Sequence, residues 1–165
     1  MCLCKHFGIG IKEAGDEKMI KTIRVMLVPN NKQKTKLFQY ANTARFAYNW
    51  ALGREKENYE NGGKFISDCD LRKGFTQLKK SEEYSWLNKI SNNVTKQAIK
   101  DACNAYKRFF NGLSDKPRFK SRKNSKKSFY NDNIKLKVKE NRLVNIEKVG
   151  WIKTNEQIPI GVKYS

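Results

Sequence analysis

A lone strand pattern near the start of this chain limits what it can fold into. Between Lys21 and Pro29, Ile23, Val25 and Leu27 alternate with Arg24, Met26 and Val28, the period-two signature of a strand, and Pro29 stops it. A single strand leaves its backbone groups unpaired. The next alternation comes only after Phe129, with Ile134, Leu136 and Val138, and the residues between carry helical spacing. The order strand, helices, strands predicts an α+β fold, with a helical bundle inserted into a small antiparallel β module.

The helices can be placed from caps and stripes. Asn30 or Asn31 can cap a first helix with Leu37, Ala41, Ala44, Tyr48 and Ala51 on one stripe, stopped at Asn61-Gly62-Gly63. A second starts at Asp68 or Asp70, both read as N-capping acids, and uses Leu71, Phe75 and Leu78. An apolar link, Tyr84 to Ile90, leads to Ser91, which caps a third helix with Val94, Ala98, Ala102, Ala105 and Phe109 inward and Lys96, Lys100 and Lys107 opposite, ending at Gly112. Beyond it Phe129, Ile134 to Val138, a Glu140-Asn141-Arg142 turn, Leu143 to Ile146 and Val149 to Ile152 read as short antiparallel strands. The expected organisation is a disordered leader over 1–18 with Met19 as the start, a first strand within 19–29, a helical domain over 30–115, and a basic linker with the remaining strands over 116–165.

Charge sets the partner class. The 165 residues hold 35 Lys and Arg against 16 Asp and Glu, a net +19 with a pI near 9.9. Such a body repels itself unless a polyanion neutralises it, which points to nucleic acid. Residues 116–127 concentrate seven cations, Lys116, Arg118, Lys120, Arg122, Lys123, Lys126 and Lys127, with no acid. Closely spaced cations on a polar segment suit a phosphate backbone, and Phe119 among them can stack on a base. The competing reading is a solvated loop with Phe119 as a core anchor. Arg45, Asn49 and Arg54 on the first helix are candidate groove readers or plain surface residues.

Several chemistries are excluded. One histidine, His6, leaves no Ser/His/Asp, Cys/His or two-histidine metal site. Cys2, Cys4, Cys69 and Cys103 form no C-x-x-C pair, so they read as reduced thiols of a cytoplasmic protein. No apolar run reaches the ~18–20 residues of a membrane span, and no signal-peptide h-region is present. Glu55, Glu57 and Glu60 read as a solvated helix face, and no set of acids converges as two-metal phosphodiester cleavage requires. No cofactor, small-molecule substrate or membrane partner is expected.

Taken in order, Thr22-Ile-Arg-Val-Met-Leu-Val-Pro29 with Gln33, Ala44-Arg-Phe-Ala-Tyr-Asn49, Leu78-Lys79-Lys80 with Trp86-Leu87, Ala105-Tyr-Lys-Arg-Phe-Phe110, Pro117-Arg-Phe-Lys120, Ser128-Phe-Tyr-Asn131 and Val149-Gly-Trp-Ile-Lys153 resemble the TnpB/OrfB family. These are transposon-encoded relatives of type V CRISPR effectors. The likeness runs over about residues 19–160. It implies a β-barrel wedge made from residues 20–29 and the segment after Phe119, with the helices between as a recognition domain long described as helix-turn-helix. It also implies two partners, a guide RNA and double-stranded DNA carrying a short motif beside the target. The family's contacts to that motif fall here on Asp68, Arg72, Asn92, Asn93, Lys96 and Tyr130, while Lys100 continues the basic face of the third helix. For Asn92 and Asn93, helix capping is the competing reading.

Family members continue into a RuvC nuclease domain and a zinc ribbon, whose residues are not among these 165. The expectation is therefore a non-catalytic, nucleic-acid-binding N-terminal fragment with an incomplete barrel. The alternative is a stand-alone DNA-binding regulator of the same descent.

Overall fold

A computed structural model describes residues 23–132, 134–140 and 142–159. The expected leader, Met19, Cys2, Cys4 and His6 lie outside them. The fold is α+β and divides into two compact units, residues 38–130 and a sheet unit formed by the described residues from 23 to 37 with those from 131 to 159. The basic stretch 116–127, expected to accompany the later strands, belongs to the helical unit.

The sheet unit contains β1 (Leu27–Val28), β2 (Lys137–Lys139), β3 (Leu143–Ile146) and β4 (Gly150–Thr154), antiparallel in the order β1-β4-β3-β2. Among the described residues the sheet is open, with β1 and β2 at its edges. The alternation read from sequence holds in burial: Val25 and Leu27 are buried, and Arg24, Met26 and Val28 are exposed. Ladder pairing is shorter than expected, because Leu27 and Val28 meet Thr154 and Lys153 and the partner strand then ends. Asn155 takes over, its Oδ1 accepting from the Met26 N–H at 2.8 Å and its own N–H donating to the Met26 carbonyl at 3.0 Å. Val144, Ile146, Val149, Ile152 and Ile158 complete the core on that face. The turn into β4 needs left-handed backbone at Lys148 (φ 60°) and Gly150 (φ 98°), which a glycine at the second position supplies at no steric cost. Ile134 stays outside the strands and is 79% exposed.

α1 (Asn31–Glu60) opens on a reciprocal cap: Asn30 Oδ1 accepts from the Gln33 N–H at 2.9 Å, and Gln33 Oε1 accepts from the Asn30 N–H at 3.1 Å. All five residues of its expected stripe are buried. Glu55 continues that stripe and is only 1% exposed, so it is a core residue, while Glu57 and Glu60 stay on the surface beside Arg54 and Lys56.

α2 (Asp68–Leu78) is capped by Ser67, whose Oγ accepts from the Asp70 N–H; neither acid is the cap. Asp68 and Asp70 occupy the first turn, where negative charge meets the positive end of the helix dipole. The expected link is a 3-10 helix, Glu82–Lys89. α3 (Asn92–Phe110) is capped by Ser91 as expected and closes at Asn111 before Gly112 at φ 68°. Its buried stripe is shifted from the expected one: Thr95, Ile99, Cys103 and Tyr106 join Val94, Ala98 and Ala102, while Ala105 and Phe109 are only half-buried, because α2 packs along the side carrying Ile99. Phe129 is no strand residue; its ring sits edge-on to Tyr40 of α1 at 5.1 Å.

Candidate nucleic-acid interface

Ser91 decides what the start of α3 can do. Its Oγ accepts from the Asn93 N–H, so the cap is filled and the Asn92 side chain is released from it. Asn92 Oδ1 instead accepts a 2.7 Å bond from Lys79 Nζ, beyond the end of α2. That ammonium also stands 5.4 Å over the Phe75 ring. Arg72 and Lys80 from the α2 side, Asn88 from the 3-10 helix and Lys96 from α3 line the same cleft, about 500 Å³ in volume. Four cations and two amides face it, and no carboxylate lines it.

Arg72 is restrained within this cleft. Its Nε donates to the Asp68 carbonyl at 3.1 Å and Nη2 to the Asp68 carboxylate at 2.8 Å. The pair accounts for an acid beside a basic cleft: Asp68 orients the guanidinium one helical turn away. Amide and cation are the side-chain types that can read bases, asparagine pairing with adenine edges and lysine contacting phosphate or guanine. Asn93 is half-buried and lines no part of the cleft, and Lys100 lies exposed outside it. Lys79 and Lys80 belong to a motif that carries the family resemblance but were not read as site residues, because the Lys79 to Asn92 contact joins two helices and leaves no periodic trace.

The basic segment runs back along α1. Lys116 Nζ lies 5.8 Å from the Tyr59 ring, Phe119 rests against Gly53, Lys120 Nζ stands 3.8 Å over Tyr48, and Lys127 Nζ lies 5.7 Å from the Phe38 ring. Asn49 holds the middle of this path through the Lys120 backbone. Its amide is thus committed to that backbone, while Arg54 pairs with Glu57 and lies over Trp50 on the surface. Burial holds the Lys120 ammonium below the usual lysine pKa, opposed by Asp101. The run thus divides: Lys120 anchors, Phe119 rests on α1 yet stays 53% exposed, and Arg118, Arg122, Lys123 and Lys126 form an exposed row. A tight turn shapes that row, with Ser121 Oγ accepting from the Asn124 N–H at 2.9 Å. Lys120, Lys126 and Tyr130 also line a second, smaller pocket with Arg45.

Among the described residues no three His, Cys, Asp or Glu side chains gather as a metal site. Burial pushes the Cys103 thiol up to about 12, so it stays protonated. No helix among the described residues is long and apolar enough to cross a membrane.

The helix-turn-helix domain family of OrfB proteins from IS605-type elements matches residues 19–64. The described part of that match folds as β1 and one uninterrupted α1, followed by the loop toward α2. A candidate RNA-guided DNA endonuclease, InsQ of Escherichia coli (strain K12), is 31% identical over 136 residues, taking in 82% of this chain and 34% of its own. A candidate RNA-guided DNA endonuclease of Streptomyces pristinaespiralis is 27% identical over 112 residues, covering 68% of this chain and 28% of its own. A candidate transposase, A625R of Paramecium bursaria Chlorella virus 1, is 26% identical over 139 residues, 76% of this chain and 31% of its own. The chain thus spans about a third of the length of these curated relatives.

Proposed function

The chain belongs to the TnpB/OrfB family, matching its N-terminal part, and from that premise we propose that it binds a guide RNA together with the double-stranded DNA that flanks the RNA's target. The observation that carries this reading is the cleft between α2 and α3, lined by Arg72, Lys79, Lys80, Lys96 and the Asn92 amide, with Asp68, the partner of Arg72, as the acid beside it. In this reading the cleft reads the flanking motif. The exposed row Arg118, Arg122, Lys123 and Lys126 holds phosphates and sets register. The four-stranded sheet serves as a wedge between RNA and DNA, with further strands closing it into a barrel. Nuclease chemistry is assigned to no residue of this chain; its part is recognition.

The test is selection from a duplex library with a randomised flank, with and without the element's end RNA. Lys96→Ala and Asn92→Ala should change which flank is preferred, whereas Arg118→Ala with Arg122→Ala should weaken all sequences alike. Identical behaviour of the two sets would remove the division into reading and positioning residues. Flank selection that needs no RNA would favour the stand-alone DNA-binding regulator.

A further inference from the structure

The second pocket, about 280 Å³, lies within the helical unit, where α1 contributes Arg45, α3 contributes Gln97 and Asp101, and the basic segment contributes Lys120, Lys126 and Tyr130. Arg45 lines it, and Arg45 Nε is buried and finds no hydrogen-bond partner among the described residues. A buried guanidinium N–H without an acceptor is costly, and an anionic oxygen is an acceptor that would offset that cost. The surroundings supply the matching charge. Three cations face one carboxylate, and that carboxylate, Asp101, already accepts from Gln97 Nε2 at 2.8 Å.

We propose that this pocket is a phosphate subsite taking one backbone phosphodiester of a single-stranded nucleic acid, with the Arg45 guanidinium and Lys126 as donors and Tyr130 at the rim against the attached base. The volume lies below the ~300–1,000 Å³ typical of pockets for whole small-molecule ligands, and so favours a single nucleotide unit. Tyr130 is 45% exposed, which leaves ring surface for stacking. Arginine suits the role because its planar fork matches phosphate geometry. The proposal rests on the reading that the chain binds nucleic acid, but it concerns a place distinct from the α2–α3 cleft.

The test follows the Arg45 Nε–H resonance in the isotopically labelled full chain by NMR, assigned by its loss in Arg45→Gln. The probes are dithymidine monophosphate, which carries one phosphodiester, and inorganic phosphate, both at constant ionic strength. In parallel, fluorescence anisotropy measures a labelled oligothymidine 12-mer against the parent chain, Arg45→Gln and Lys126→Ala. The dinucleotide should move the Arg45 Nε–H and the Tyr130 ring signals together. Arg45→Gln should weaken the 12-mer roughly tenfold, as expected for losing a charge-assisted contact. An Arg45 signal that stays still under the dinucleotide overturns the proposal, and so does a stronger response to inorganic phosphate, which would make this a small-anion site. A parent chain that binds no oligonucleotide defeats the functional reading as well. Binding by the parent with a silent Arg45 defeats the subsite alone.

Discussion

Asn49 holds Lys120 by both backbone groups: its Oδ1 accepts from the Lys120 N–H at 2.8 Å, and its Nδ2 donates to the Lys120 carbonyl at 3.0 Å. One side chain of α1 thereby stands in for a strand partner. It ties to α1 a lysine-rich stretch that composition alone would leave as a solvated loop.

Asn49→Ala should free that stretch. Two part-buried backbone groups lose their partners, at a cost of about 2 kcal/mol. For a helical unit of this size that lowers Tm by roughly 10 °C. Calorimetry on the full chain measures it, and an unchanged Tm would mean that the clamp contributes nothing. Oligonucleotide affinity should fall too, although every cation remains, because the row is no longer pre-organised.

The exposed row sets the salt dependence. With Arg118, Arg122, Lys123 and Lys126 on phosphates and Lys120 occupied with Tyr48, log K should fall against log[salt] with a slope of about −3.6 on duplex, and of about −3.5 on single strands, where Arg45 adds a fifth contact. Removing Arg118 should reduce the duplex slope by about 0.9. Titrations between 50 and 200 mM salt would show it, and a slope near zero would end the electrostatic account.

Glu55 gives the helical unit a pH dependence. Its Oε2 accepts from the Ile66 N–H at 3.4 Å and its Oε1 has no partner among the described residues. Burial raises its pKa, and the Ile66 N–H opposes the rise. For an acid raised on folding, the stabilising contribution is full below the unfolded pKa and is lost as pH climbs through the folded one. Glu55→Gln cannot ionise, so its Tm should exceed the parent's at pH 7, with the advantage shrinking toward pH 4. Equal Tm values at pH 7 would show that the buried carboxyl carries no such penalty.

What sequence could show of this fold was what repeats locally. The stripe from Leu37 to Ala51 was legible because each residue repeats the burial of one three or four places before it, and Ser91 because a cap acts within one turn. Glu55 was legible in principle, four residues beyond Ala51 on the same stripe, but its charge argued for solvent and that argument prevailed. The caps at Asp68 and Asp70 were misplaced because Ser67, one residue earlier, competes for the same N–H groups. The Asn49 clamp and the Lys79 to Asn92 contact join residues distant in sequence, and the burial of Arg45 Nε depends on such packing, so no period encodes them.

Hydrogen exchange should separate the two units. In the helical unit Ala47, Ala51, Leu52, Ile99, Ala102 and Tyr106 are at most 1% exposed, so the backbone hydrogen bonds of α1 and α3 sit over a close-packed core and open only with the unit as a whole. The sheet unit rests on strands of two to five residues. Its edges, β1 and β2, carry backbone groups with no ladder partner on their outer sides among the described residues. Amides of α1 beyond Phe38 and of α3 should therefore be the slowest in the molecule. Within the sheet, β3 and the adjoining side of β4 should exchange more slowly than Leu27, Val28 and Lys137 to Lys139. A nucleic acid that binds only the folded form should slow exchange in both units, since mass action favours the closed state. Mass-spectrometric exchange on the full chain, with and without oligonucleotide, gives the comparison. Protection of β1 and β2 equal to that of α3 in the free chain would mean that these edges are covered, and the account of the open sheet would fall.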